Sequence, residues 1–159
     1  MLTIQIALLL IVANGSPLLV GNLLGRIADR PIDADLCFVD GQPLLGATKT
    51  WRGLLSSLLL TSLCAWLLGL GWLAGLVVAG GAMLGDLISS FIKRRLGMAS
   101  STKAIGLDQL PEALIPALLV HFFFHYSWST VIIATGVFVI ADMLVSPLLF
   151  RWGLRREPH

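Results

Sequence analysis

One stretch of the sequence places a carboxylate, two hydroxyl groups and a cation at the spacing of a single helix face. Ser89, Ser90 and Lys93 follow Asp86 by three, four and seven residues, the intervals at which helical side chains share a face. Arg94 flanks that face. A carboxylate can hold Mg²⁺ while neighbouring cations bind phosphate oxygens. The pattern therefore indicates a site for a phosphorylated substrate and a divalent metal ion.

A second group of basic and hydroxyl residues lies where the chain enters a long apolar run. These residues are Lys49, Thr50 and Arg52. If the run is a helix, its first turn offers free N–H groups and the positive end of the helix dipole, both of which favour phosphate. The spacing differs from that of the glycine-rich phosphate loop of nucleoside triphosphatases. We predict that these three residues contribute to phosphate binding.

The composition indicates that a membrane positions these residues. Of the 159 residues, 57% are hydrophobic and 13% are charged, whereas soluble domains carry about 25% charged residues. This excludes a disordered chain, a disulfide-stabilised secreted domain and an ordinary cytosolic enzyme. The two cysteines, Cys37 and Cys64, do not have the spacing of a zinc site.

Five apolar segments have the character of membrane-spanning helices, which need about 20 residues. They are predicted at residues 2–24, 54–70, 72–92, 110–126 and 129–150. Gly69 and Gly71 mark a tight turn between the second and third segments. Because helices satisfy their own backbone groups in lipid, we predict an all-α integral membrane protein with five transmembrane helices.

The basic residues predict the orientation of these helices. All eleven follow the first, third or fifth segment, and they are Arg26, Arg30, Lys49, Arg52, Lys93, Arg94, Arg95, Lys103, Arg151, Arg155 and Arg156. Basic residues concentrate in cytoplasmic loops. We therefore predict that the N-terminus lies outside, that the C-terminus is cytoplasmic, and that the loops at about 25–50 and 93–109 face the cytoplasm.

Two carboxylates lie inside predicted spans, about 10 Å or slightly more from the cytoplasmic edge. They are Asp86 and Asp142. A carboxylate at that depth costs about 2.5–3.5 kcal/mol unless it faces protein, water or a cation, and intramembrane acids are functional by default. A structural ion pair or a protonated acid is the alternative for each of them.

The first predicted helix contains a helix-breaking sequence within the membrane. Pro17 has no N–H to donate to the carbonyl of Ala13, so we predict that the helix breaks near Asn14, Ser16 and Pro17. Free carbonyl groups there, together with Asp142, are expected to line a polar cavity that opens to the cytoplasmic side. A simple packing kink is the alternative.

Several blocks of this sequence recur in a known family. They are Asn-Gly-Ser-Pro at 14–17, Lys-Thr-Trp-Arg-Gly at 49–53, Gly-Asp-Leu at 85–87, Ser-Phe-Ile-Lys-Arg-Arg at 90–95 and Asp-Gln-Leu at 108–110. In these blocks the chain resembles the CDP-archaeol synthase family, small five-span membrane enzymes similar in their catalytic half to phosphatidate cytidylyltransferases. The resemblance implies transfer of CMP from CTP to a membrane lipid phosphate. The products would be pyrophosphate and a CDP-lipid of the CDP-archaeol or CDP-diacylglycerol type.

The resemblance also implies residue roles. Asp86 and Asp108 would hold Mg²⁺, and with Lys93 they form the predicted catalytic set. The predicted contacts to the CTP phosphates are Lys49, Thr50, Arg52, Ser89, Ser90 and Arg94, and the predicted lining of the lipid cavity is Asn14, Ser16, Pro17 and Asp142. A lipid phosphate is already an anionic nucleophile, so this reaction needs no activating Ser-His-Asp or Cys-His set. The chain departs from the usual archaeal pattern at Pro111 and Glu112, which follow the Asp-Gln-Leu block.

Together these expectations describe a single membrane-embedded catalytic domain over residues 1–159. It would be a multi-pass protein of the cell (inner) membrane with its active site at the cytoplasmic side. The expected partners are CTP, a membrane lipid phosphate and the bilayer, without nucleic acid, and the oligomeric state stays open, a homodimer included.

Two other classes of membrane protein are alternatives to this enzyme. A small cation- or proton-coupled transporter using Asp86 and Asp142 is the main alternative, although the predicted outer halves carry little polar surface beyond His121 and His125. A CDP-alcohol phosphotransferase is disfavoured because its multi-aspartate helix signature is missing.

Overall fold

The computed structural model describes residues 1–100, 102, 104 and 106–151, with side chains as far as residue 145. It contains five helices, α1 (Leu2–Leu24), α2 (Trp51–Leu67), α3 (Trp72–Arg95), α4 (Gln109–Phe124) and α5 (Trp128–Arg151). The five predicted helices and the all-α class are confirmed, with boundaries shifted by up to about three residues. Three basic residues used for the orientation, Lys103, Arg155 and Arg156, lie outside the described residues.

Three of the helices have the length and composition needed to cross a membrane. They are α1, α3 and the part of α5 from Trp128 to Val145. The other two, α2 and α4, are shorter apolar helices of 17 and 16 residues. Several long apolar helices in one chain make this a multi-pass membrane protein.

Pro17 does not break α1, so this prediction was wrong. The helix runs without interruption from Leu2 to Leu24. The carbonyl of Ala13, which Pro17 cannot reach with an N–H group, accepts a hydrogen bond of 2.8 Å from the hydroxyl of Ser57 on α2. A donor from a neighbouring helix thus satisfies the freed carbonyl, which is how membrane helices tolerate proline.

Asn14, about one turn before Pro17, forms a hydrogen bond within its own helix. Asn14 donates its amide to the carbonyl of Leu10 at 3.0 Å. The carbonyl of Ala13 was predicted to be free and to line a cavity, but it is not available because it accepts the bond from Ser57.

Glycine residues let α3 and α4 approach closely. A Cβ atom on Gly81 would lie 2.6 Å from the Cα atom of Pro116, and one on Gly85 would overlap the carbonyl of Pro111. Only hydrogen atoms fit between the two backbones at these points. The contact brings Asp86, the residue after Gly85, against the first turn of α4.

The bundle is divided into an apolar half and a polar half. The buried apolar cluster draws residues from each of the helices α1 to α5; its largest members are Ile6, Leu9, Leu10, Val78, Val120 and Phe138. The polar half holds the last turns of α3 and the start of α4. The charged residues predicted to do chemistry lie in this polar half or in the loop that precedes α2. They come from that loop, the start of α2, the later part of α3, the start of α4 and, in the case of Asp142, from α5.

Candidate active site

The loop between α1 and α2 is folded around a buried carboxylate. Asp33 is 4% exposed and accepts backbone hydrogen bonds from Leu45 and Gly46, both at 2.9 Å, and from Asp35 at 3.2 Å. Burial by itself raises the pKa of Asp33, but these three N–H groups stabilise the charged form and leave the pKa below its ordinary value. The carboxylate therefore fixes the segment that leads into Lys49.

The same loop is attached to the end of α3. Arg95 forms an ion pair with Asp40 at 3.1 Å. Its guanidinium group lies 4.7 Å from the ring centre of Phe38 and 4.9 Å from that of Phe91. These contacts hold the loop against α3, and the side chain of Lys49, further along the same loop, reaches Asp86 in the polar half.

Lys49 and Asp86 form the first of two ion pairs in that interior. The Nζ atom of Lys49 lies 2.5 and 2.6 Å from the two carboxylate oxygens of Asp86, and the two side chains are 20% and 21% exposed. Burial lowers the pKa of Lys49, but the charge of Asp86 and its hydrogen bonds outweigh that effect and raise the pKa overall. The next residue, Thr50, caps α2 by accepting a bond of 3.2 Å from the N–H of Gly53.

Lys93 and Asp108 form the second pair. Their Nζ and Oδ1 atoms are 2.7 Å apart, and the side chains are 9% and 11% exposed. The other oxygen of Asp108 accepts a bond of 2.9 Å from the N–H of Ala104, and Lys93 also donates to the carbonyl of Thr102 at 3.1 Å. The end of α3 is thereby tied to the start of α4.

A cavity of about 830 Å³ connects the two ion pairs. It is lined by eleven of the thirteen predicted site residues: Asn14, Pro17, Lys49, Thr50, Arg52, Asp86, Ser90, Lys93, Arg94, Asp108 and Asp142. The two remaining residues, Ser16 and Ser89, are buried and do not line it. The hydroxyl of Ser89 donates to the carbonyl of Asp86 at 3.0 Å.

The two arginines in this set contact the protein itself. Arg94 donates to the hydroxyl of Ser100 at 3.1 Å and to the carbonyl of Ala99 at 2.8 Å. Arg52 donates to the turn that follows α1 and pairs with Asp29 at 2.9 Å. Both guanidinium groups still border the cavity and contribute positive charge to it.

The structure adds one carboxylate that the motif-based assignment left out. Glu112 lines the same cavity as Asp86 and Asp108. Its position four residues after Asp108 was the available signal, because residues four apart share one face of a helix. Gln109, between them, donates to Asp142 at 3.4 Å and so connects α4 to α5.

The carboxylates of the cavity have the donor chemistry that a divalent cation requires. Within the described part of the chain, no three His, Cys, Asp or Glu side chains are already arranged around a common metal position. Asp86, Asp108 and Glu112 nevertheless line one cavity, and carboxylate oxygens are the ligands that Mg²⁺ prefers. The donor chemistry therefore fits Mg²⁺, with lysines occupying two of the carboxylates in this structure.

Comparison with known proteins adds information on ancestry. A family model described as CarS-like, CDP-archaeol synthase, matches residues 1–71 and 70–158. The CDP-archaeol synthase of Pyrococcus furiosus is 37% identical over 151 residues, which is 89% of this chain and 81% of that protein. That of Hyperthermus butylicus is 41% identical over 104 residues, or 62% of this chain. The alignments span 59% of the Hyperthermus butylicus protein and 60% of its Sulfurisphaera tokodaii counterpart.

A solved structure also resembles the chain. It is described as an intramembrane enzyme for archaeal membrane lipids biosynthesis. The TM-score is 0.73 at 31% sequence identity, over 89% of this chain and 90% of the other. The arrangement of helices described above is therefore similar to that of an enzyme that works inside a membrane.

Proposed function

The chain belongs to the CDP-archaeol synthase family, and from this we propose that it transfers CMP from CTP to a membrane lipid phosphate. The observation that carries the proposal is the cavity in the polar half of the bundle. It brings lysines, arginines and carboxylates from five separate segments into one space of about 830 Å³, which is large enough for a small-molecule ligand.

The basic and hydroxyl side chains of the cavity are suited to the triphosphate of CTP. Lys49, Lys93 and Arg94 supply positive charge, and Thr50 and Ser90 supply hydroxyl groups. Arg52 adds charge at the edge of the site while it holds the turn after α1. Ser89 lies behind this surface and supports the helix segment that presents Asp86.

The reaction is a displacement at the α-phosphorus of CTP. An oxygen of the lipid phosphate forms the new P–O bond, the bond to the bridging oxygen of the β-phosphate breaks, and pyrophosphate leaves with that electron pair. The nucleophile is already ionised, so no side chain has to remove a proton. The contribution of the protein is to place two anions in line and to offset their repulsion with cations.

We propose that Asp86 and Asp108 hold Mg²⁺, with Glu112 as a further carboxylate in the same cavity. When bound, Mg²⁺ would polarise the phosphates and neutralise charge on the departing pyrophosphate. In the present structure each aspartate neutralises a lysine. With Mg²⁺ held by the two aspartates, Lys49 and Lys93 would be available to phosphate oxygens, so the same four residues would serve both arrangements.

The acceptor and the membrane arrangement complete the proposal. The names of the relatives favour an archaeol-type, prenyl-ether lipid phosphate over a diacyl one. We further propose that all five helices cross the membrane, with Asn14, Pro17 and Asp142 on the lipid side of the cavity and the opening toward the cytoplasm. A coupled transporter would need access from both sides, whereas buried apolar side chains fill the other half of the described bundle.

Product formation by the purified protein tests this proposal. Detergent-solubilised protein is incubated with labelled CTP, Mg²⁺ and either a di-prenyl-ether or a diacyl glycerol phosphate, and the lipid product is identified by mass. We expect a CDP-lipid, formed faster from the ether lipid. Asp86→Asn should abolish it, because a metal-ligand charge is lost without loss of volume.

Asp35→Asn is the matched control. Asp35 is an exposed loop carboxylate with a φ of 59°, a conformation that asparagine also adopts readily. It should retain wild-type turnover. Failure of the wild-type protein to form a CDP-lipid from either acceptor would overturn the proposed function, and full turnover by Asp86→Asn would remove Asp86 from the mechanism.

A further inference from the structure

One basic residue at the cavity differs from the others. Five basic residues line the cavity, and four of them are held by other parts of the chain. Lys49 and Lys93 form ion pairs, whereas Arg94 and Arg52 donate to neighbouring loops. Arg26 lines the same cavity and is exposed, and among the described residues it has no hydrogen-bond or ion-pair partner. Its guanidinium group is therefore free to bind an anion.

The surroundings of Arg26 combine positive charge with exposed apolar surface. Arg26 follows the end of α1, whose last turns expose Leu19, Leu23 and Leu24 by 52%, 83% and 41%. Apart from Arg26, the cavity residues of α1 and the turn after it carry one charge, that of Asp29, which is neutralised by Arg52. A cation beside exposed leucines matches a ligand with an anionic head and apolar chains, and a free nucleotide lacks the second of these.

Arg52 fixes the position of this turn. Its Nη1 atom donates to the carbonyls of Gly25 at 2.9 Å and Ile27 at 2.6 Å, and its Nη2 atom donates to Asp29 at 2.9 Å. The three contacts surround Arg26 in the sequence. A guanidinium group can make them together because its donors form a rigid planar fork, which a lysine does not offer.

We propose that Arg26 binds the phosphate group of the lipid acceptor, whose apolar chains then lie along the exposed leucines of α1. Arg52 is a positioning residue that holds Arg26 at the mouth of the cavity. The proposal rests on the proposed function and adds that the two substrates are bound by different groups of basic residues. The lysines near α3 serve the triphosphate, and the turn after α1 serves the acceptor.

The physical need for such a residue follows from charge. Both substrates are anions. The acceptor must approach a triphosphate whose charge is already paired with the cations deeper in the site. A separate cation on the lipid side lowers the repulsion along that approach without competing for CTP.

Separate titration of the two substrates tests the proposal. The probe is a di-prenyl-ether glycerol phosphate in micelles of an uncharged detergent, and CTP is varied independently. Arg26→Ala should raise the KM for the lipid phosphate by about tenfold or more, the loss expected for one charged hydrogen bond. The KM for CTP should not change, and Arg26→Lys should recover most of the loss.

Arg30→Ala is the matched control. Arg30 is exposed in the same loop, four residues further on, and does not line the cavity. It should behave like wild type. Arg52→Lys keeps the charge but loses the planar fork, so it should raise the KM for the lipid phosphate as Arg26→Ala does. The double variant Arg26→Ala/Arg52→Lys should be little worse than either single variant.

Three results would overturn the inference. An unchanged lipid KM in Arg26→Ala would remove Arg26 from acceptor binding, and a raised KM for CTP would assign it to the nucleotide. An equal rise in Arg30→Ala would show general attraction to an anionic surface. If the wild-type protein forms no product, equilibrium binding of the labelled lipid phosphate to the same variants still decides the matter, because only Arg26→Ala and Arg52→Lys should lose it.

Discussion

At the scale of single residues, the two lysine–aspartate pairs decide the chemistry of the cavity. Each pair places a cation and a carboxylate at the same spot with little exposure to water. Taking both members of such a pair into the protein gains little stability, but removing one of them leaves an uncompensated charge. The residues proposed for catalysis are thus also part of the fold, and variants must separate the two roles.

Lys93→Ala should lower both stability and CTP binding. Asp108 would be left 11% exposed without its cation, and loss of one partner of a buried pair costs about 3–5 kcal/mol. Adding Asp108→Asn should restore most of the stability, since no charge is left unpaired, but it should not restore the CTP affinity.

Thermal unfolding in detergent and calorimetric titration with CTP measure these two effects. The single variant Asp108→Asn is the control for the amide itself. If the double variant binds CTP as the wild-type protein does, then Lys93 has only a structural role.

The sequence predicted residues that share a helix and missed contacts between segments. The helical interval placed Asp86, Ser90 and Lys93 on one face, and all three line the cavity. Ser89 lies about 60° to one side of Asp86 at 3.6 residues per turn, and the structure buries it. The pairing of Asp86 with Lys49, 37 residues away, depends on the loop that surrounds Asp33, and no local pattern predicts it.

At the scale of helices, the close contact between α3 and α4 positions the carboxylates. Gly85→Ala should disturb it, because the added Cβ would overlap the carbonyl of Pro111, a backbone atom that cannot rotate away. We expect a lower unfolding temperature together with weaker CTP binding, since Asp86 and Asp108 would move apart.

Gly80→Ala is the matched control on the same helix. A Cβ atom there has no heavy atom within 4 Å, and alanine is the better helix former by about 1 kcal/mol. Its unfolding temperature should be unchanged or higher. Equal behaviour of the two variants would contradict the close approach of α3 and α4.

The bond from Ser57 to α1 gives a second prediction at this scale. Ser57→Ala removes the donor to the carbonyl of Ala13 and should cost about 1–3 kcal/mol, the penalty for a buried unsatisfied group. Adding Pro17→Ala should recover much of that loss, because residue 17 then has an N–H group for the same carbonyl.

Thermal unfolding of the two variants tests this compensation. Ser62→Ala is the control on α2. The buried hydroxyl of Ser62 has no hydrogen-bond partner among the described residues, so its removal leaves no group unsatisfied and should be neutral or stabilising. A loss in the double variant as large as the sum of the separate losses would show that Ser57 does not compensate for Pro17.

The helices were predictable because long apolar runs are a local property of the chain. Their ends were predicted less well: α2 is capped by Thr50 and begins at Trp51, three residues before the predicted start. The predicted break at Pro17 was wrong because a proline removes one hydrogen bond, and the replacement comes from Ser57, 44 residues away. A local pattern shows which hydrogen bond a residue cannot make. Whether a residue distant in sequence replaces that bond depends on the tertiary structure.

At the scale of the whole molecule, the charged side chains that the structure describes lie at one end of the bundle. The buried apolar cluster and the cavity occupy different halves along the helices. Such a protein can admit a water-soluble nucleotide from one side and a lipid from within the bilayer. The proposed activity therefore depends on which end faces the cytoplasm and on whether the two short helices cross the membrane.

Existing and substituted cysteines can reveal the orientation and can contradict the five-span arrangement. Cys37 is exposed in the loop after α1, and Cys64 lies on α2. In a Cys64→Ser variant, a membrane-impermeant maleimide should label Cys37 in inside-out vesicles, and in right-side-out vesicles only after permeabilisation. In a Cys37→Ser/Cys64→Ser background, Ser127→Cys places a thiol at an exposed position between α4 and α5. The cysteine side chain is similar in size to the serine that it replaces. It should be labelled from the opposite side.

Three helices, α2, α3 and α4, separate these two reporter positions. Labelling from opposite sides therefore requires that an odd number of them cross, and α3 alone among them is long enough by the usual length criterion. If both thiols react from the same side, one of the short helices, α2 or α4, does not span the bilayer and the five-span arrangement is wrong. If they react from opposite sides but with the faces exchanged, the cavity opens to the exterior, where CTP is absent, and the proposed reaction loses its access to substrate.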